Sequence, residues 1–396
     1  MTVLAVNAGS STLKFALYAV DSDPEGPAVL SGSVDGLATG GAMPLRWAAN
    51  GNTFQTVVQS EGGNPFASAL RALQSLLQDA CAERDLRAVA HRVVHGGGVY
   101  HQAVRVNAAV LEALDRFSSL APLHQPHNLQ GIRAFAAAFP ALPQFACFDT
   151  AFHATLPEVE YRFALPQSLA DQGIRRYGFH GLSYQYVIRC LGRLTPSAKG
   201  RVVMAHLGSG ASLCATYQGQ SQATTMGFSA LDGLMMGTRC GALDAGVLLH
   251  LSGEGWDRAQ LEDLLYRRSG LLGVSGLSAD MRRLRAADDA SARLAIRMFT
   301  YRVARETGAM TACLSGLDAL VFTGGIGEHD AVLRAEVCQQ LAFLGIRLDP
   351  ERNAHANAGA AAKLHADSST VEVWMIPTDE GRIAAQAAVA ALGAGA

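Results

Sequence analysis

The sequence predicts an α/β protein built from two related domains, and three observations carry that prediction. Apolar strand patterns alternate with helical ones along most of the chain, as α/β architectures require. A length of 396 residues exceeds what one ordinary core fills. The third is a local pattern written twice. Val6-Asn7-Ala8-Gly9-Ser10-Ser11-Thr12-Leu13-Lys14-Phe15 and Val203-Met204-Ala205-His206-Leu207-Gly208-Ser209-Gly210-Ala211-Ser212-Leu213 each run from an apolar β stretch through a tight Gly/Ser turn into a second β stretch. Glycine allows a sharp turn and close approach of a ligand to backbone. Turn N–H groups and hydroxyls together make a concavity suited to phosphate oxygens. Two such turns point to a duplicated fold holding a polyphosphate between its halves.

Taken in order, residues 3–7 and 13–19 form the first hairpin. Residues 21–63 are polar and Gly-rich, with strand-like pieces such as Leu45-Arg46-Trp47. Leu70, Leu73, Leu76 and Leu77 recur at helical spacing and predict a helix over 65–85. Ala88-Val89-Ala90-His91-Arg92-Val93-Val94 reads as a buried strand that ends in the turn His95-Gly96-Gly97-Gly98. Helices are predicted over 108–119 and 128–139, and a short buried strand over 145–148. Residues 200–217 begin the second half. Helices follow over 257–268 and 287–316, the latter with Leu294, Ile296, Met298, Phe299 and Val303 along an apolar side. A strand over 317–322 runs into Thr323-Gly324-Gly325-Ile326-Gly327-Glu328 and a further helix. A strand over 371–376 and a helix over 379–392 close the chain.

Composition narrows the function. The net charge of −2 leaves no electrostatic footprint for nucleic acid or an anionic membrane. Apolar runs are broken well before membrane-spanning length. The N-terminus enters a strand pattern directly and lacks the layout of a secretory signal. Seven scattered cysteines without a C-x-x-C read as reduced thiols, so the cytoplasm is the expected location. Among only three lysines, Lys14 sits beside the first Gly/Ser turn.

Several residues carry chemistry, each with a plainer reading beside it. Arg92 lies inside an apolar strand, where a charge is costly unless paired. It is either an internal ion-pair partner or a bidentate receptor for carboxylate or phosphoryl oxygens. Arg239, in Gly237-Thr238-Arg239-Cys240, faces the same alternatives. Asp149 ends a strand, where α/β folds face their ligands, or it is a turn cap. Glu380 is a metal-facing acid or a first-turn helix acid. Asn7, Asp149 and Glu380 together suit Mg²⁺, which takes few protein oxygens and keeps several waters. His180, between glycine and aromatic residues, is a donor to a transferring phosphoryl group or a satisfied loop histidine. Gly324-Gly325-Ile326-Gly327 is a tight strand-to-helix turn or a nucleotide seat at a helix N-terminus. No Walker A sequence, H-E-x-x-H or G-x-S-x-G occurs, which disfavours a P-loop enzyme, a zinc hydrolase and an esterase.

As a set, the motifs resemble the acetate kinase family, the short-chain carboxylate kinases of the sugar kinase/Hsp70/actin superfold. They comprise Asn7 to Phe15, His91 to Gly97, Ala121-Pro122-Leu123-His124, Phe148-Asp149-Thr150-Ala151-Phe152-His153, Arg176-Tyr177-Gly178-Phe179-His180-Gly181, His206-Leu207-Gly208, Gly237-Thr238-Arg239, Phe322 to Glu328 and Pro377-Thr378-Asp379-Glu380. They occur in family order over essentially the whole chain. The resemblance implies duplicated ribonuclease H-like (actin-like ATPase) domains with the active site in an interdomain cleft. It implies domains at 1–150 plus 379–396 and at 151–378, the latter carrying the nucleotide and a homodimer interface. By position, Asn7 and Glu380 would contact Mg²⁺, with Mn²⁺ as a substitute. Ser10, Thr12 and Lys14 would face phosphates. Arg92, Arg239, His180, His124 and Asp149 would be catalytic. Val94, Leu123, Phe179 and Ala230 would line the acyl pocket. His206, Leu207, Gly208, Ser209, Gly210, Asp280, Met281, Arg282, Gly324, Gly325, Ile326, Gly327, Glu328 and His329 would hold ATP.

The chemistry implied is Mg²⁺-dependent, reversible phosphoryl transfer between ATP and acetate. A carboxylate is already nucleophilic at neutral pH, so the task is to bring two anions into line and spread the charge of a loose transition state. On that ground Asp149 is expected to orient Arg92 or Mg²⁺ waters rather than to take a proton. Departures from the family pattern bear on the outcome. Ser209 stands where Asn is usual, Ala223 and Ala242 where Asp is usual, His329 where Asn is usual, and Ala230 where Pro lines the acyl pocket. Loss of acid at 242 is expected to loosen Arg239, and the smaller Ala230 to admit propionate. A propionate or broader short-chain carboxylate kinase and a catalytically impaired nucleotide-binding homologue are the alternatives.

Overall fold

The computed structural model describes residues 1–20, 26–81, 85–121, 124–357 and 359–394. The chain divides into two compact units, Met1–Ala151 with Asp379–Ala396, and Phe152–Thr378.

The first unit is built on an eight-stranded sheet. Its strands are β1 (Thr2–Ala8), β2 (Thr12–Ala19), β3 (Leu30–Asp35), β4 (Ala42–Ala49), β5 (Asn52–Gln59), β6 (Leu86–Val93), β7 (Val104–Arg105) and β8 (Gln144–Phe148), in the order β5-β4-β3-β2-β1-β6-β8-β7. β1, β6 and β8 run parallel, while β2 to β5 form an antiparallel meander from β1. The central strands are apolar nearly throughout because both their faces are covered. Helix Pro65–Ala80 starts where Asn64 accepts the Ala67 N–H, with Pro at its first position. It buries Leu70, Leu73 and Leu77 in a core with Leu4, Val6, Leu13, Phe15 and Leu17. Helix Glu380–Ala394 packs against β1 and β6.

The second unit repeats the plan. Strands β9 (Arg201–Leu207), β10 (Ala211–Tyr217), β11 (Gln220–Thr224), β12 (Ala319–Thr323), β13 (Ala362–Lys363) and β14 (Glu372–Met375) form a sheet in the order β11-β10-β9-β12-β14-β13. β9, β12 and β14 are parallel, and β10 and β11 antiparallel to their neighbours. The shared core, β3-β2-β1-β6-β8 and β11-β10-β9-β12-β14, is the same strand order twice, the duplicated ribonuclease H-like α/β plan. Helix Gly181–Leu194 buries Tyr184, Val187, Ile188 and Leu191 against Met204 and Val321.

The strand-like pieces expected within residues 21–63 are β3, β4 and β5. Two expectations need correction. The long helix begins at Ala290 rather than 287, because the Asp289 carboxylate accepts the Ser291 and Ala292 N–H groups; Met281–Ala286 is a separate helix before it. The helix predicted over 108–119 is α-helical only to Asp115 and tightens into a 3₁₀ turn at Arg116–Ser119.

Candidate active site

In the first unit, β1, β6 and β8 run parallel, so their C-terminal ends lie at the same end of the sheet, where such folds bind ligands. Asn7 lies at the end of β1 and Arg92 at the end of β6; Asp149 follows β8, and Glu380 opens the helix packed on β1 and β6. Arg92 Nε donates to Asp149 Oδ1 at 3.0 Å and Nη2 to Oδ2 at 2.6 Å. Glu380 Oε2 stands 3.3 Å from Arg92 Nε. The Asp149 side chain is 1% exposed, so this fork is shielded from water. Burial works against the Arg92 charge, but the Asp149 and Glu380 carboxylates outweigh it and raise the guanidinium further above its ordinary range. Arg92 Nη1 has no hydrogen-bond partner among the described residues.

The neighbouring loop is set by side-chain amides. Asn128 accepts the Val94 N–H at 3.0 Å and donates to the Ala8 carbonyl at 2.8 Å, which ties residue 94 to the end of β1. Gln125 accepts the His95 N–H and donates to the His95 carbonyl. His124 stands at the N-terminus of helix Gln125–Ala138. Leu123 lies outside the described residues. Ser10 is exposed, Lys14 is exposed across from Asn7, and the Thr12 hydroxyl donates to Asp35.

In the second unit the Gly208-Ser209-Gly210 turn joins β9 to β10, closed by the Gly208 N–H on the Gly210 carbonyl. It lies beside the Gly324-Gly325 start of helix Gly324–His329; a Cβ on Gly208 would stand 4.0 Å from the Gly325 nitrogen. Gly324 has φ +75°, and a side chain there would press on the Leu207 backbone at 2.8 Å. Ser209 is exposed and its carbonyl holds the Gly237 N–H, so backbone shapes this turn.

His180 precedes helix Gly181–Leu194 in the left-handed region at φ 59°, ψ 22°. For a non-glycine residue such backbone costs about 1–2 kcal/mol, and it collects at functional sites. Its Nδ1 meets Ser212 Oγ at 2.8 Å, and its ring stacks on His206 with centroids 4.2 Å apart. His153 braces the preceding residue: Nε2 meets the Phe179 carbonyl at 2.9 Å and Nδ1 meets Ser221 Oγ at 2.8 Å. Burial pushes the His153 imidazole down to about 4.

Arg239 and His180 converge on Gly210. A Cβ built there would lie 2.6 Å from Arg239 Nη2 and 3.4 Å from His180 Nε2. Arg239 Nη1 donates to the Ala230 carbonyl at 2.5 Å. Among the described residues no carboxylate pairs with Arg239. Burial lowers its guanidinium from the ordinary value. Among the described residues Arg239 makes this one hydrogen bond, so its other guanidinium N–H groups are left to donate.

Other predicted residues take structural roles. Glu328 is buried, and its Oε1 accepts the N–H groups of Gly324 at 2.8 Å and Thr378 at 3.2 Å. The glutamate therefore caps its own helix. Asp280 caps helix Met281–Ala286 and pairs with Arg282; hydrogen bonds from the Arg282 side chain and backbone hold its carboxyl down at about 2. The Met281 side chain is buried in the core, Gly325 and His329 are exposed, and Ile326 is half-buried. Phe179 and Leu207 are buried, and Ala230 is half-buried.

Sequence reading missed the groups that hold these residues: Ser183, Tyr184 and Ser212 behind the histidines, and wholly buried Arg334, which donates to the Gly327 and Glu328 carbonyls. Nothing local distinguishes the two serines and the tyrosine, since their partners lie 23 to 32 residues away in sequence.

Comparison with known proteins matches the acetokinase family over residues 2–386. The chain is 51% identical over 383 residues to the acetate kinase of Rhodopseudomonas palustris, covering 96% of this chain and 95% of that one. A crystal structure of a propionate kinase from Francisella tularensis is similar with a TM-score of 0.89 at 35% identity, covering 98% of each chain. That of Porphyromonas gingivalis acetate kinase is similar with a TM-score of 0.87 at 36% identity, covering 99% of each.

Proposed function

The chain belongs to the acetokinase family, and on that footing we propose that it is a phosphotransferase with a carboxyl acceptor, catalysing reversible phosphoryl transfer from ATP to acetate. The observation that carries the reading at residue level is the convergence of Arg239 Nη2 and His180 Nε2 on Gly210, with no carboxylate on Arg239 among the described residues. Two anions must be brought together, and cationic and N–H groups fixed in advance lower that barrier most.

The roles follow. Arg92, aimed by Asp149 and Glu380, receives the acid or the transferring phosphoryl through its remaining N–H groups. Arg239 and His180 take charge on the phosphoryl oxygens. The Gly208–Gly210 turn and the backbone at Gly324–Gly325 seat the nucleotide phosphates. Asp149 acts as an orienting residue, since both its oxygens are engaged by Arg92.

Mg²⁺ fits the oxygen donors present. The Asn7 amide has no hydrogen-bond partner among the described residues, and the Glu380 carboxylate is partly exposed. Two such ligands suit an ion that keeps most of its waters, with Mn²⁺ as its substitute. Bound there, the ion would offset phosphate charge. Ala230 supports a second acceptor, propionate, because it leaves more room than the usual proline. Loss of catalysis finds no support in the arginine and histidine geometry. A homodimer is supported by helix Ala245–Gly253, apolar yet uncovered in the second unit, with Leu249 76% exposed. A cytoplasmic location is supported by seven free cysteines and a nucleotide substrate.

The test is hydroxamate-coupled phosphorylation of formate, acetate, propionate and butyrate with Mg-ATP, comparing kcat/KM. Acetate and propionate are expected to lead. Tight ATP binding with no turnover of any acid would overturn the reading.

A further inference from the structure

Two stacked imidazoles, His180 and His206, are each met at Nδ1 by a serine hydroxyl at 2.8 Å, Ser212 for the first and Ser183 for the second. Behind each serine stands another hydroxyl: Tyr184 meets Ser212 Oγ at 2.5 Å, and Thr378 donates to Ser183 Oγ at 2.8 Å. Tyr184, Ser183 and Ser212 are fully buried, so each of their protons needs an acceptor inside the protein.

That requirement fixes the direction of both chains. Among the described residues the Tyr184 hydroxyl is bonded to Ser212 Oγ, and a buried phenol proton needs an acceptor, so Tyr184 donates to Ser212. The single Ser212 proton then points at His180 Nδ1. In the second chain Thr378 donates to Ser183, and the Ser183 proton points at His206 Nδ1. A ring nitrogen that accepts a hydroxyl proton carries none of its own.

We propose that these two relays lock His180 and His206 as Nε2–H tautomers, and that Ser212 is thereby a positioning residue for phosphoryl transfer. His180 Nε2 is the ring atom that approaches Gly210 beside Arg239 Nη2, so the lock turns a donor toward the place where an anion is received. In the other tautomer that nitrogen would present a lone pair to the same oxygen and repel it. His206 backs the ring face of His180, which keeps the imidazole from swinging out of line. The catalytic half of this inference rests on the carboxylate kinase reading; the tautomer half does not.

The experiment uses the full-length protein labelled with ¹⁵N-histidine and long-range ¹H–¹⁵N spectra of the imidazoles, assigned with His180→Gln and His206→Gln. Wild type is expected to show both rings with the proton on Nε2. Ser212→Ala should release His180 into a mixture of tautomers and let the ring move out of line, lowering kcat by up to about 100-fold with KM for nucleotide little changed. Ser212→Thr keeps a hydroxyl and should restore both the spectrum and kcat. Tyr184→Phe frees the Ser212 proton to turn away; it should give the same mixture and serves if Ser212→Ala does not fold. A proton on His180 Nδ1 in wild type overturns the proposal, as does a Ser212→Ala protein with unchanged tautomer and kcat. If wild type phosphorylates no carboxylate, the kinase reading fails, while the spectra still decide the relay.

Discussion

Replacing Asp149 by Asn tests whether this residue works by aiming Arg92. The carboxylate closes two parallel bonds on the guanidinium, at 2.6 and 3.0 Å, with a side chain 1% exposed. An amide of the same shape can accept one of them. Its NH₂ group would then face a guanidinium N–H, donor against donor, in a place water does not reach. A hydrogen bond to a charged partner contributes about 1.5–3 kcal/mol, so Asp149→Asn should cost folding stability of about that size. The full cost of breaking a buried pair, about 3–5 kcal/mol, is not expected, because one bond survives and Glu380 still stands near Nε. The larger effect is on turnover. Arg92 would rotate toward Glu380, and a misplacement of about 1 Å costs roughly 100-fold in rate. The assay is hydroxamate-coupled turnover at saturating Mg-ATP and acid, with urea unfolding alongside. A kcat down about 100-fold in a protein that still folds agrees with the orienting role. Near-normal turnover at saturating Mg²⁺ would refute it, together with any assignment of Asp149 to a metal's water shell.

Three further outcomes follow from named contacts. Ala230→Pro should raise the preference for acetate over propionate, by up to the 1–3 kcal/mol, roughly 10–200-fold, that one methylene carries in an apolar pocket; an unchanged ratio of kcat/KM values sinks the idea of a roomier pocket. Gly210→Ala should push Arg239 Nη2 aside, since the new Cβ would stand 2.6 Å from it, and should cut kcat while thermal unfolding stays near wild type; full activity would remove Arg239 from the site. Acid should destabilise the protein before its carboxylates titrate. Burial holds His91, His95 and His153 at about 4 in the folded protein, against 6.5 when unfolded. Protons therefore favour the unfolded chain, and the stability these rings contribute is full above pH 6.5 and drains away between pH 6.5 and 4. Each such ring is worth about 3 kcal/mol. Urea midpoints that stay flat from pH 7 to 5 would contradict this.

The parts of the fold legible in the sequence were those fixed by local chemistry or by burial on both faces. The two Gly/Ser hairpins were legible because a tight turn between apolar β stretches has few other conformations. β6, β8, β9 and β12 were legible because strands inside a parallel sheet read as nearly continuous apolar runs. β5 did not stand out because nearly all its residues are exposed, so no alternation marks it. β7 and β13, two residues each, exist through their pairing with β8 and β14 and leave no pattern of their own. The boundary at Asp289 turned on one carboxylate choosing the N–H groups of Ser291 and Ala292 over continuing a helix.

The candidate site divides along the same line. Arg92 stood out because a charge in an apolar strand demands a counter-ion, and the structure sets Asp149 and Glu380 on it. The serines behind His180 and His206 did not stand out, because hydroxyls become partners only in three dimensions; Ser212 lies 32 residues from the ring it meets. The two arginines also differ in a way no sequence pattern conveys. Arg92 is gripped by two carboxylates, which fix its direction and offset its charge. Among the described residues Arg239 is held by a single carbonyl and no carboxylate, so its charge is not offset by a partner. A reaction that joins two anions needs both kinds: a guanidinium aimed firmly enough to hold an acceptor in line, and one whose charge is still available when phosphoryl oxygens arrive. A new acid placed beside Arg239, as in Ala242→Asp, should on this argument steady the side chain yet weaken its hold on nucleotide. A variant that binds ATP more tightly would show instead that the arginine is limited by its mobility and not by its free charge.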